Sequence, residues 1–305
     1  MRATSPCRHH RDRAGLDGKV DAAVRLSDAL DLRVDPRPVA FARILLSFAL
    51  GVTVLEASAV LGSIAAGKLQ YPVFPALPGP TPFGVQVYLV VGLIAAVCLL
   101  VGLLTGAAAA TGSVALAAAL LWDQQTYSSH HLLATLLLAY LAFAEAGRRW
   151  GVGALRSPPG ATVRWWPQAL MMTQVTALYL FAALSKINPR FLSGHPLQEW
   201  MWIDWPLWMF QSLAFATVVT ELFLAVALWI PRLRAFAVVA GVGLHAGIVI
   251  GLAEQTLVLT GFAAASMSTY WLFLSRPPLG NLFRSRPPAA QASSAAPADA
   301  AHTLD

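Results

Sequence analysis

The side chains with the most capacity for chemistry are ionisable groups set among apolar neighbours. Lys186 closes the stretch Tyr179-Leu-Phe-Ala-Ala-Leu-Ser-Lys186-Ile-Asn188-Pro189, which continues through Arg190 to Gly194. A lysine at the end of an apolar helix gives up part of its ammonium hydration, and its neutral amine then becomes available as a general base. Tyr179 stands two helical turns earlier on nearly the same face, so the two can share a site. The alternative is a lysine that snorkels to the lipid headgroups.

Histidines offer a second acid–base function. His130 and His131 open an apolar stretch after Asp123-Gln-Gln-Thr-Tyr-Ser-Ser. Neighbours on a helix point about 100° apart, so only one of them is expected to face a common interior. The alternative for either is an interfacial imidazole bonded to water or headgroups. His245 lies inside another stretch, about 10 Å from its end. An imidazole there needs a partner, for which Glu221 is a candidate; a purely structural bond between helices is the alternative. Arg43 begins the first apolar stretch, where snorkelling accounts for it. Glu56 lies about 20 Å further along, and nothing in the sequence assigns it a partner. A bis-histidine haem from His131 and His245 would rest on two rings of unfixed depth, so no haem or metal is expected.

The elements that carry these residues are apolar throughout. Of 305 residues, 57% are hydrophobic and only 12% charged, and the mean hydropathy is +0.62. A soluble domain carries about 25% charged residues, so most of this surface faces lipid. Eight apolar runs follow one another at approximately 39–64, 84–104, 107–122, 131–147, 168–186, 207–230, 234–252 and 256–274. The second and third nearly touch at Thr105-Gly106. One helix through both would overrun a hydrocarbon core of about 30 Å, so a tight helical hairpin is expected.

Charge placement orients the runs. Arg148, Arg149, Arg156 and Arg164 fall between the fourth and fifth, Arg232 and Arg234 at the boundary of the sixth and seventh, and Arg276, Arg284 and Arg286 after the eighth. If every run crosses once, all of these share a side with the basic amino-terminal tail. The opposite loops hold only Lys68, Lys186 and Arg190. Basic loops stay cytoplasmic, which puts both termini inside and Lys186 outside, on the side that disfavours a mere anchor lysine. The 10 tryptophans agree. Trp150, Trp165, Trp166, Trp229 and Trp271 mark the inner boundary, and Trp122, Trp200, Trp202, Trp205 and Trp208 the outer. The expected architecture is therefore an all-α, polytopic membrane helix bundle of about eight transmembrane helices, multi-pass in the cell membrane.

Residues 1–37 read as a basic, disordered cytoplasmic tail, 38–275 as the membrane domain, and 276–305 as an Ala/Pro/Ser-rich cytoplasmic tail. A cleaved signal peptide is not expected, because the first apolar run starts late and has no small-residue cleavage site after a short core. The net charge of +6 sits in the tail and short loops, where it signals topology rather than nucleic-acid binding. Cys7 and Cys98 fall in different environments and form no C-x-x-C, so neither a disulfide nor a dithiol relay is expected.

Taken together, these motifs resemble the horizontally transferred transmembrane (HTTM) domain family, which includes the membrane portion of vitamin K-dependent gamma-carboxylase. The likeness spans roughly residues 38–275. It rests on Arg43 in the first run, Ser128-Ser129-His130-His131-Leu-Leu opening the fourth, Tyr179 through Lys186-Ile-Asn188 to Gly194 around the fifth, and Glu221 with His245 in the sixth and seventh. The resemblance implies that Lys186 is the base that deprotonates a reduced quinone similar to vitamin K hydroquinone, with His130 near the site. His131, Tyr179, Asn188, Glu221, His245 and Arg43 would support them. Two positions depart from the carboxylase pattern: Ser185 replaces the first of its paired lysines, and Ser128-Ser129 stand where it has an Asn pair. Only a short tail follows the eighth run, in place of the carboxylase's large extracytoplasmic domain, so carboxylation of a propeptide-bearing protein is not the expectation.

Bacterial members without that domain include one needed to mature a secreted peptide toxin. The resemblance thus implies modification or maturation of a small secreted peptide at the outer face, with an accessory protein as a further partner besides the bilayer. A non-enzymatic member, an assembly partner or transporter that keeps the bundle without the chemistry, is the alternative. A transporter would show broken helices around a midplane site, and the sequence has neither a Gly/Pro-interrupted pair of runs nor an internal repeat.

Overall fold

Each of the apolar runs is helical in the structure, a computed structural model that describes residues 30–252 and 256–275. The helices are α1 (Arg37–Ala65), α2 (Pro82–Val101), α3 (Thr105–Trp122), α4 (Ser129–Leu141), α5 (Trp166–Lys186), α6 (Leu207–Ala227), α7 (Arg234–Gly251) and α8 (Thr256–Ser268). A 3-10 turn, Tyr270–Ser275, extends α8. Among the described residues, seven of these stretches are long and apolar enough to cross a membrane. Cys7, Arg276, Arg284, Arg286 and nearly all of both expected tails lie outside the described residues.

Local chemistry sets the boundaries. Thr81 accepts a hydrogen bond from the Gly84 amide at 3.1 Å, and Pro82 follows as the first helical residue, the usual start of a helix. α2 ends on Gly102, whose φ of 72° a side chain would resist. Leu104 also takes a positive φ, 45°. These residues make the tight hairpin expected at Thr105-Gly106.

The fourth run differs from expectation. Its α-helix has 13 residues and stops at Leu141, short of position 147. The chain nevertheless continues along the full length of α3. Ser113 Oγ donates to the Thr135 carbonyl at 2.9 Å. Further along, a Cβ at Gly106 would lie 3.0 Å from the Ala142 carbonyl oxygen, and one at Gly147 would lie 2.9 Å from Thr105 Oγ1. In the turn beyond the helix, Glu145 takes a positive φ of 52°. Its carboxylate is held by Arg148, by Arg164 at 3.4 Å and by Arg33 at 3.7 Å.

α1 and α8 are the most enclosed helices, with 56% of their apolar segments buried against 22% to 33% for α2, α3, α5, α6 and α7. Small residues let α1's neighbours approach it closely. A Cβ at Gly92 of α2 would fall 2.6 Å from Val54, one at Gly112 of α3 2.7 Å from Leu50, and one at Gly261 of α8 2.8 Å from Val52. The far face of α2 exposes Val90, Ile94, Val97 and Val101, a stripe at helical spacing suited to lipid.

Both ends of the bundle's chain return to one side. β1 (Arg33–Val34), expected within the tail, pairs antiparallel with β2 (Val163–Arg164). Phe41 near the start of α1 meets Trp271 edge-on at 5.0 Å.

Candidate functional site

Lys186 ends α5 beside Glu221 of α6. Its Nζ donates to Glu221 Oε1 at 2.8 Å and Oε2 at 3.0 Å, and folds back to the Ala182 carbonyl at 3.2 Å. The ring of Phe191, from the short helix Pro189–Leu192, lies 6.0 Å from the ammonium. The Lys186 side chain is 27% exposed and that of Glu221 only 7%, so the amine is the accessible member and the carboxylate its shielded partner. Glu221 was a candidate partner for His245; the structure gives it Lys186 instead, because its carboxylate stands level with the last turn of α5.

His245 turns to α5. Its Nε2 lies 2.9 Å from Tyr179 Oη, and Tyr179 Oη in turn bonds to Tyr270 Oη. His245, Tyr179 and Tyr270 are 1%, 2% and 1% exposed. His245 Nδ1 has no partner among the described residues, and an unpaired polar atom buried in this way costs about 1–3 kcal/mol. Tyr179 and Lys186 lie on one face of α5, as their spacing predicts. The structure therefore links Lys186 to Glu221 and Tyr179 to His245 in two layers along α5.

His130 reaches a different helix. Its Nε2 is 2.9 Å from Glu56 Oε2 of α1 and 3.0 Å from Ser128 Oγ. Ser128 also caps α4 by accepting from the His131 amide at 3.2 Å. Phe262 of α8 joins the two histidine groups, with its ring centroid 6.3 Å from His130 and 5.3 Å from His245. Tyr88 of α2 is buried, and its hydroxyl has no hydrogen-bond partner among the described residues.

Three of the expected supporting residues direct their side chains to backbone groups. Arg43 is fully buried rather than snorkelling. It donates to the Ala146 carbonyl at 3.5 Å and to that of Trp150, at the other end of the bundle from Lys186. Gly102 and Gly151 pack directly on its guanidinium, so it ties α1 to two turns and takes no part in the Lys186 region. His131 places Nδ1 2.9 Å from the Thr126 carbonyl and Nε2 3.1 Å from that of Leu116, fastening α4 to α3. Asn188 accepts from the Phe191 amide at 2.9 Å and donates to the Ser185 carbonyl at 2.8 Å, shaping the turn after α5.

Phe262, Tyr270 and Tyr88 were not among the candidate residues, and Glu56 was noted without a role or a partner. An acidic residue well inside an apolar helix signals Glu56. Nothing in the sequence distinguishes the other three from ordinary core aromatics.

A family model described as HTTM domain matches residues 32–273 of the chain. Searches of curated proteins and of solved structures find no match.

Proposed function

The chain belongs to the HTTM domain family, and from that premise we propose that it is a membrane enzyme whose Lys186–Glu221 pair handles a proton of a lipophilic, quinol-like compound at the extracytoplasmic face, in the modification or maturation of a small secreted peptide. That it is an integral, multi-pass membrane protein follows from the family and its long apolar helices.

The observation that carries the enzymatic reading is the 2.8 Å contact between Lys186 Nζ and Glu221 Oε1. A proton moved along that hydrogen bond turns ammonium and carboxylate into amine and carboxylic acid, with almost no displacement of heavy atoms. The new lone pair lies along the former N–H bond, facing Glu221, and rotation about Cε–Nζ, which moves only hydrogens, turns it to the exposed side of the dyad, as a general base requires. A static ammonium whose three hydrogens all have acceptors could not do this, so Glu221 is the residue that makes Lys186 usable.

A reduced quinone suits this donor set. Lys186 and Glu221 would hold one of its hydroxyls, with the Phe191 ring as apolar surface beside it. When bound, such a compound supplies a weakly acidic O–H and two reducing equivalents. The orientation is supported by charge: Arg148, Arg149, Arg156 and Arg164 gather at the Arg43 end, which favours a cytoplasmic face there and an outer face at Lys186.

The same hydrogen bonds support a second reading, a non-enzymatic member in which Lys186 and Glu221 only lock α5 to α6. Lys186→Ala does not separate the two, because it strands a buried carboxylate at a cost of about 3–5 kcal/mol. Lys186→Arg does: arginine pairs with a carboxylate but does not give up its proton. The protein would be reconstituted in nanodiscs with vitamin K hydroquinone and oxygen, and the oxidised product followed by chromatography. Turnover above empty nanodiscs is expected, falling about 10²–10⁴-fold in Lys186→Arg. Full turnover in that variant overturns the base assignment, and absence of turnover in the parent protein overturns the quinol reading.

A further inference from the structure

At the end of the bundle opposite Lys186, two cavities share a wall. The first, about 650 Å³, is lined by Arg37, Arg148, Arg149 and Asp35 together with the turn at residues 157–162. The second, about 410 Å³, is lined by Pro38, Phe41, Trp150, Trp271 and Leu274. Asp35 and Arg37 line both. A basic chamber thus opens beside an apolar, aromatic slot.

We propose that the two cavities form one binding site for an anionic phospholipid, with the headgroup phosphate among Arg37, Arg148 and Arg149 and an acyl chain in the aromatic slot. Three arginines and one carboxylate line the chamber, and guanidinium is well matched to the oxygens of a phosphate. Two of the three are held in place. Asp35 accepts from Arg37 Nε at 2.9 Å and Nη2 at 2.6 Å, and Glu145 holds Arg148. The Arg149 side chain is exposed and, apart from the charge attraction of Asp35, makes no hydrogen bond or ion pair among the described residues, so its donors are available to a ligand.

The adjoining slot identifies the ligand as a lipid rather than a free anion, because an inorganic phosphate has no use for a wall of Phe41, Trp271 and Leu274. Trp150 and Trp271 in the slot's lining suit the level where headgroup meets acyl chain. Basic residues just outside the membrane-spanning helices attract anionic headgroups.

The test is native mass spectrometry of the full chain in detergent with three probes: phosphatidylglycerol, phosphatidylcholine and inorganic phosphate. Phosphatidylglycerol is expected to stay bound where phosphatidylcholine and phosphate do not. Arg149→Gln should lower its occupancy about fivefold, the effect of one arginine near an anionic lipid. Asp35→Asn should raise it, because the amide oxygen still accepts from the Arg37 amide while the negative charge is gone. Opposite signs for the two variants, with unchanged melting in lipid-free detergent, separate charge recognition from a structural role. Equal retention of the two lipids, or no response to either substitution, overturns the site. Phosphate bound as well as phosphatidylglycerol overturns the lipid assignment in favour of a free-anion site.

Discussion

The His130 imidazole of α4 meets the Glu56 carboxylate of α1 at 2.9 Å, across helices 74 residues apart in sequence. The contact joins one of the two most enclosed long helices to the start of the short fourth one. If the two groups act as a pair, removing either should forfeit most of what removing both does. A double-mutant cycle with Glu56→Ala and His130→Ala, read from unfolding midpoints in detergent, is expected to give a coupling of about 1 kcal/mol. Additive effects would mean that the contact stabilises nothing.

Tyr179 sits between His245 and Tyr270, and the two phenols are not equivalent. Tyr179→Phe leaves His245 with no partner for either ring nitrogen among the described residues and should cost about 1–3 kcal/mol. Tyr270→Phe keeps the Tyr179–His245 bond and should cost about 0.5–1.5 kcal/mol. Thermal melts of the two variants check the order, and a larger loss from Tyr270→Phe would place the centre of the network elsewhere.

Close packing on α1 makes a steric prediction. At Gly92 a Cβ would meet both methyl groups of Val54, at 2.6 and 2.8 Å, so no rotation of the valine relieves the clash. Gly92→Ala is expected to lower stability by about 1–3 kcal/mol. Gly243 of α7 has nothing within 4 Å of the corresponding position, and Gly243→Ala should be neutral or slightly stabilising. Equal melting of the two variants would show that helix approach to α1 does not limit stability.

Topology is open to a direct measurement. A reporter fused after Arg286 is expected to be active only in the cytoplasm, and one inserted near Arg190 only outside. This expectation requires the fourth run, only 13 residues of which are α-helical, to cross the membrane alongside α3 and so make the number of crossings even. An externally active reporter after Arg286 would break that count.

What the sequence determined alone is the set of helices, their approximate limits, and which loops share a side of the bundle. Apolar length, arginine placement and tryptophan position are local properties, and each is set by the bilayer rather than by neighbouring helices. The fourth element is the one whose extent differs: its α-helix ends at Leu141, and the turn beyond it carries Glu145, on which Arg33 and Arg164, distant in sequence, converge.

The pairings within the bundle were decided by tertiary structure. Lys186, Tyr179, His130 and His245 were legible as chemically capable residues because polar groups are rare in such helices, but their partners were not. A membrane helix is apolar on the face that meets lipid and on the face that meets protein, so hydropathy does not reveal which way a side chain turns. The rotation of each helix is set by packing, through contacts such as Gly92 on Val54 and Gly112 on Leu50. Those contacts accompany the pairing of Glu56 with His130 and of Glu221 with Lys186, and the burial of Arg43 far from both.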